Sequence, residues 1–120
     1  MTFKYALSSA EEAPLSAPIL LTGSIKENLI AAGKLGYNAI EIHTRPDEKI
    51  DFGAVKDTMA EQNVQISAVI TGRLNTEGLC SLIDDRPYVM HAAMLGMYQY
   101  IDMAEKLNTD IVLGWTKGNV

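Results

Sequence analysis

The sequence predicts an α/β fold in which parallel strands alternate with helices. Four stretches have the character of strands: Phe3–Ser8, Ala39–His43, Val64–Thr71 and Asp110–Gly114. Three stretches with apolar residues at helical spacing lie between them. No hairpin dipeptide such as Asn-Gly joins neighbouring strands, so each connection has to cross over through a helix, which makes the pairing parallel.

The first helix has clear start and stop signals. Ser24 and Glu27 stand three residues apart before an apolar run, a spacing that predicts a capping box. Gly36 supplies the left-handed residue that ends the helix. The predicted apolar stripe consists of Ile25, Leu29, Ala32 and Leu35.

The strand after this helix has one apolar and one polar face. Alternation turns Ile40 and Ile42 toward the helix and leaves Glu41 and His43 on the other face. The strand Val64–Thr71 repeats this mixture, with two predicted faces: Ile66, Ala68 and Ile70 against Gln65, Ser67, Val69 and Thr71.

Two further helices are predicted. Asp51 caps the second helix, which runs to about Gln62 and ends at Asn63. Asp84 or Asp85 is expected to cap the longest helix, of roughly 22 residues and 33 Å. Its core-facing stripe is predicted as Met90, Met94, Met97, Ile101 and Ala104, flanked by Ala93, Tyr100 and Leu107.

Two architectures compete for this order of elements. In a doubly wound sheet, helices cover both faces and the strands are nearly continuous apolar runs. In a (β/α)₈ barrel, one strand face looks into the interior, where polar groups near the mouth form a site. The polar strand faces favour the barrel. Residues 1–120 are then one partial domain, about four strands and three helices, whereas a closed barrel needs eight units and about 250 residues.

Composition narrows the class of protein. A chain of 120 residues, 48% of them apolar, can form one core, and a net charge of −5 argues against nucleic-acid binding. The single Cys80 excludes an internal disulfide and suits a reducing cytoplasm. The N-terminus lacks the apolar segment of a signal peptide, and the apolar run at Pro18–Thr22 is too short to span a bilayer. We therefore expect a cytoplasmic protein with no membrane partner.

Three segments carry a family resemblance: AAGKLGYNAIEIHTRP, NVQISAVITGRLNTEGLCSLIDD and AAMLGMYQYIDMAEKLNTDIVLG. In order and spacing, the chain resembles the N-terminal half of the sugar phosphate isomerase/epimerase family, the xylose-isomerase-like TIM barrels. The resemblance covers essentially the whole chain. It implies an enzyme of carbohydrate metabolism that moves a proton next to the carbonyl of a small sugar or sugar phosphate, through an enediolate.

The resemblance also implies a divalent metal, Mn²⁺, Mg²⁺ or Co²⁺, that stabilises the enediolate. In this family two Glu, one Asp and one His that commonly hold the metal come from later strands. No residue of this chain is therefore assigned as a metal ligand or as a catalytic residue, and the isolated chain is expected to be inactive. An exposed half-barrel surface would favour a homodimer, but not a catalytically active one.

What the first half would contribute is a wall of the substrate pocket. The candidate substrate-binding residues follow the strand C-termini, where barrel active sites form: Ser8, His43, Arg45, Thr71, Gly72, Arg73 and Trp115. His43 would bond a sugar hydroxyl, or alternatively a structural partner such as Glu41. Arg45 and Arg73 would hold a phosphate or carboxylate, or serve as ordinary loop charges. Trp115 would stack on a sugar or cover an exposed edge.

Other chemistries lack their motifs. The sequence has no G-x-G-x-x-G, P-loop, HExxH, CxxC or G-x-S-x-G. The DNA-repair endonuclease branch of the same barrel group would need a basic groove and more than the two histidines present. The main alternative is a non-catalytic, flavodoxin-like α/β binding module that uses its two long loops, Ser9–Gly23 and Gly72–Asp84, to hold a ligand or partner.

Overall fold

The computed structural model describes residues 3–76 and 80–114. It contains a five-stranded, all-parallel sheet and four helices, which confirms the α/β class and the parallel pairing. The sequence analysis did not predict β2 and α3, which are short and lie within the two predicted loops. In chain order the elements are β1 Ala6–Ala10, β2 Leu21–Thr22, α1 Ile25–Lys34, β3 Ala39–His43, α2 Phe52–Gln62, β4 Gln65–Ile70, α3 Arg73–Thr76, α4 Pro87–Leu107 and β5 Asp110–Val112.

The sheet order is β2-β1-β3-β4-β5. The four longer strands therefore lie side by side in sequence order, and the two-residue β2 pairs only with Ser9 and Ala10 at the end of β1. Strand β1 begins later than predicted because its partner β3 starts at Ala39, opposite Ala6. Phe3, before this point, is exposed.

A single hydrophobic core lies between one face of the sheet and helices α1, α2 and α4. Strand residues Leu7, Ile40 and Ile42 meet the helix residues Leu29 and Tyr100 in this core. The other face carries Ala6, Ser8, Glu41 and Gln65, whose side chains are exposed or half-buried, together with the small buried residues Ala10, Ala39 and Ala68. We call this second surface the open face.

A β-bulge in β4 changes which residues belong to each face. The register with β3 shifts after Ile66, so that Ala68 pairs with Glu41 and Val69 with Ile42. Ser67 is the extra residue, and its hydroxyl donates a hydrogen bond to the Ile40 carbonyl at 3.3 Å. The predicted faces are therefore wrong beyond this point: Val69 joins the core, whereas Ala68 and Ile70 lie on the open face.

Helix α1 has the predicted boundaries. Ser24 accepts a hydrogen bond from the Glu27 amide, and the Glu27 carboxylate accepts one from the Ser24 amide, which confirms the capping box. Gly36 has φ +82°, which confirms the left-handed stop. Leu29 and Ala32 are buried, but Leu35 is exposed because the helix ends before it.

Helix α2 also matches its prediction. The Asp51 carboxylate accepts a hydrogen bond from the Ala54 amide at 3.1 Å, and Asn63 ends the helix in the left-handed region. Val55 and Met59 are buried, and Phe52 packs at the edge of the core.

The predicted start of α4 is wrong. The helix begins at Pro87, and Arg86 is its N-cap with no side-chain cap bond. Proline restricts the preceding residue to extended backbone, so Arg86, with ψ 116°, cannot continue a helix begun at Asp84. Asp84 instead accepts hydrogen bonds from the Arg86 amide and guanidinium, each at 2.9 Å, and these hold the pKa of Asp84 at about 2.

The predicted core stripe of α4 is wrong in part. Ala93, Tyr100, Ala104 and Leu107 are buried as predicted. Met90, Met94 and Ile101 are exposed by 39%, 41% and 49% because the helix turns a neighbouring stripe toward the sheet, one centred on Ala93, Gly96 and Tyr100. Gly96 allows this close approach, since a Cβ there would lie 2.7 Å from Leu74.

Among residues 3–76 and 80–114, no helix is both long enough and apolar enough to cross a bilayer.

Candidate functional site

The C-terminal ends of β1 and β3 open into a cavity of about 300 Å³. Its floor includes Ile42, on the core side of β3, and Val55, in α2. Its walls come from the loops that follow the two strands and from the first turns of α1 and α2. The polar and charged lining residues are Ser9, Glu11, Ser24, Lys26, Asn28, His43, Thr44, Glu48, Lys49 and Asp51.

Glu48 is the most perturbed acid in the part of the chain that the structure describes. Burial, and after it a hydrogen bond and the like charge of Glu11, raise the pKa of its carboxyl to about 7. A hydrogen bond from Thr44 and the charge of Arg73 act in the opposite direction. Two carboxyl groups in contact share a proton readily because both cannot ionise without repulsion. Near neutral pH, Glu48 is therefore both a proton donor and a proton acceptor.

His43 lies at the end of β3, beside this cavity. Its Nε2 is 3.4 Å from Oε1 of Glu41, and both side chains are half-buried. Glu41 is the partner that the sequence analysis gave for a structural role of His43. His43 is also among the residues that line the cavity.

Arg45 and Arg73 line a second concavity, a groove of about 540 Å³ along α4. Its wall includes Leu74, Leu95 and Gly96. The Arg73 guanidinium donates a hydrogen bond to the His43 carbonyl at 3.2 Å. Arg73 thus connects the groove to the end of β3 and, through its charge, to Glu48.

The other predicted site residues are more scattered. Ser8 holds the loop after β1: its hydroxyl donates to the Pro18 carbonyl and accepts from the Leu20 amide. Thr71 is buried, and its hydroxyl donates to the Val112 carbonyl. Gly72 lies between Thr71 and α3. Trp115 falls outside the described residues. The structure thus brings together His43, Arg45 and Arg73, and leaves Ser8 apart from them.

Sequence reasoning missed Glu11 and Glu48. Glu11 follows β1 directly, and Glu48 lies in the loop after β3. A signal was present, because the loops after adjacent parallel strands leave the same edge of the sheet and can meet. It was obscured because each acid lies in a short charged run that also suits a solvated loop.

Among the described residues, no group of three or more His, Cys, Asp or Glu side chains is placed to hold a metal ion. We therefore derive no chemical step through the divalent metal that the resemblance implies.

A scan against models of protein families finds no match for this chain, and a search of curated proteins finds no relative.

Proposed function

We propose that this chain forms the first half of a (β/α)₈ barrel of the sugar isomerase/epimerase type and supplies part of its substrate pocket. The supporting observation is the one-sided sheet. Parallel sheets almost always have both faces covered, whereas here the helices pack on one face and the open face carries Glu41 and His43. A barrel interior is the setting in which such a face is covered by other strands.

The strand ends supply the binding chemistry in this proposal. Arg45 and Arg73 give the groove a positive charge that suits a phosphate or carboxylate. Arg73 connects this groove to the cavity that His43 and Glu48 line, and in this proposal those two residues bond the hydroxyl groups of the substrate. The substrate class is therefore a small sugar or sugar phosphate, handled by a cytoplasmic enzyme.

The proposed reaction of the complete barrel is proton transfer next to the sugar carbonyl, through an enediolate. The described residues supply no metal ligand set, so we propose that the isolated chain binds a sugar but does not convert it. Hydrogen exchange at the carbon next to the carbonyl, followed by NMR in D₂O with Mg²⁺ present, should show no enzyme-dependent rate. Turnover by this chain would contradict the inactive-half proposal.

Binding is tested by titrating ¹⁵N-labelled protein with an aldose, a ketose and their phosphate esters. We expect amide shift changes at residues 43–48 and 71–74, larger for the esters than for the parent sugars. Arg73→Gln should weaken binding of the esters by about ten- to a hundredfold, since a charge-assisted contact is worth about 1.5–3 kcal/mol. Arg86→Gln, at the exposed start of α4, is the matched control.

Two results would overturn the sugar assignment. One is the absence of shifts at these residues with every sugar. The other is a response to inorganic phosphate equal to that to the esters, which would identify a simple anion site.

A non-catalytic α/β binding module is the second candidate. The observation that favours it is the cavity of about 300 Å³, whose floor lies on the helix-covered side of the sheet, away from the open face. A ligand whose shifts map to Asn28, Ile42 and Val55, with none on the open face, would favour this module over the barrel.

A further inference from the structure

Asn28 lines the cavity of about 300 Å³ with a side chain that is only 2% exposed. Its Nδ2 donates hydrogen bonds to the carbonyls of Ala10, at 3.4 Å, and Gly23, at 3.1 Å, which fixes the orientation of the amide. Within residues 3–76 and 80–114, no group donates a hydrogen bond to its Oδ1. Every fully enclosed side-chain nitrogen or oxygen in this part of the chain has a partner, so Oδ1 retains contact with open space. The cavity is the open space that Asn28 lines.

The polar groups of the cavity wall offer mainly hydrogen-bond acceptors. The hydroxyls of Ser9 and Thr44, both buried, donate to backbone carbonyls at 2.9 and 3.0 Å, so these donors already have partners. What remains for a ligand is Oδ1 of Asn28 and the carboxyl groups of Glu11 and Glu48.

These three acceptors are connected in space. Asn28 bonds the carbonyl of Ala10, the residue before Glu11, and the Glu11 carboxyl contacts that of Glu48. A volume of about 300 Å³ lies at the lower end of the range for small-molecule sites. The apolar part of the lining consists of Ala10, Ile25, Ile42, Ile50, Ala54 and Val55.

We propose that this cavity binds a small molecule with a primary ammonium group and a short alkyl body. An ammonium group has three donors and no acceptor, so it complements Asn28 Oδ1 and the two carboxyl groups. An anion is disfavoured because Ser24 and Asp51 already cap first-turn amides of α1 and α2. Lys26 and Lys49 also line the cavity, but both are exposed, and their long stems carry the charged ends into water.

This site goes beyond the sugar pocket of the proposed function and gives the binding-module candidate a ligand class. It does not use the arginine groove. The two proposals fail separately, because residues 71–74 should respond only to the sugar esters, whereas Asn28 should respond to the ammonium ligand.

Binding should release a proton from Glu48, since a nearby positive charge favours the ionised carboxylate. With a pKa of about 7, the ionised fraction rises about tenfold between about pH 6 and 8, and the affinity should rise with it. Glu48→Gln should abolish this rise. A rise that persists in Glu48→Gln would belong to His43 and contradict the role of Glu48. The other charged groups around this carboxyl are Glu11, Lys26, Lys49, Asp51 and Arg73.

The test is a titration of ¹⁵N-labelled full chain with butylammonium, followed through the side-chain NH₂ signal of Asn28. We expect this signal to shift as Oδ1 accepts a bond. 1-Butanol, which has the same alkyl body without the charge, should bind at least about tenfold more weakly. From ethylammonium to butylammonium, each methylene should tighten binding by about two- to fourfold, because the apolar lining buries it.

Glu48→Gln should weaken butylammonium binding by about tenfold or more at pH 8, because it removes a charge-assisted contact. Glu12→Gln is the matched control: it removes the same charge from the same loop as Glu11 and lies outside the cavity lining. Circular dichroism checks that both variants fold. An unmoved Asn28 signal, equal binding of 1-butanol, displacement by equimolar K⁺, or equal losses in the two variants would each overturn the proposal.

Discussion

The raised pKa of the Glu48 carboxyl results from its position in the fold. The residue sits in a loop of ordinary charged composition, yet its carboxyl is half-buried at the cavity and contacts Glu11 from the loop after β1. Burial and a like charge both disfavour ionisation, which is why the pKa rises to about 7. A carboxyl that titrates near neutral pH is well suited to moving a proton.

The raised pKa predicts how folding stability varies with pH. The carboxyl has its ordinary pKa of 4.5 in the unfolded chain and about 7 in the folded protein. Between these values the folded state binds the proton more tightly, so the Glu48 contribution to stability falls as pH rises through this window and levels off above it. Glu48→Gln should flatten this fall, as measured by urea unfolding at a series of pH values.

The control for this prediction is Glu12→Gln, a loop substitution next to Glu11. It should leave the pH profile as in the parent chain. Glu11→Gln should lower the pKa of Glu48, because it removes the neighbouring negative charge, and ¹³C NMR of the Glu48 carboxyl reports this directly. An unchanged profile in Glu48→Gln would show that another group causes the fall.

At the scale of elements, the helix ends were predicted well where a local sequence signal had no competing signal beside it. The capping box of α1 and the Asn63 stop of α2 each depend on a few adjacent residues, so the sequence alone was sufficient. The start of α4 was missed because Pro87 overrides the capping preference of Asp84. Its buried stripe was missed because the helix carries two adjacent apolar stripes, and only packing against Leu74 and the sheet decides between them.

The capping box gives a test at this scale. Ser24→Ala removes the side-chain acceptor for the Glu27 amide, 3.1 Å away, and should lower the free energy of unfolding by about 1 kcal/mol. The measurement is urea denaturation followed by circular dichroism. Ser16→Ala, in the exposed loop before β2, is the control and should change stability by less than about 0.5 kcal/mol. Equal losses in the two variants would show that the box does not stabilise α1.

At the scale of the whole molecule, the parallel α/β class followed from the alternation of elements, and the structure confirms it. The polar face of β3 was predicted from Glu41 and His43, and both are half-buried on the open face. The candidate site was predicted less completely. His43, Arg45 and Arg73 converge, but the Glu11–Glu48 pair depends on how two loops approach, and spacing along the chain does not encode that distance.

Because of its bulge, β4 should accept the deletion of one residue. Because Ser67 is an extra residue, removing it would leave Ile66 and Val69 on the core side and Ala68 between them on the open face. Deleting Ser67 should cost only about 1 kcal/mol, for the hydrogen bond to Ile40. Deleting Glu41 from β3 would carry Ile42 out of the core, so we expect that variant not to fold. Thermal melts of the two shortened chains, compared with the parent, would show whether β4 tolerates the loss of a residue that β3 does not.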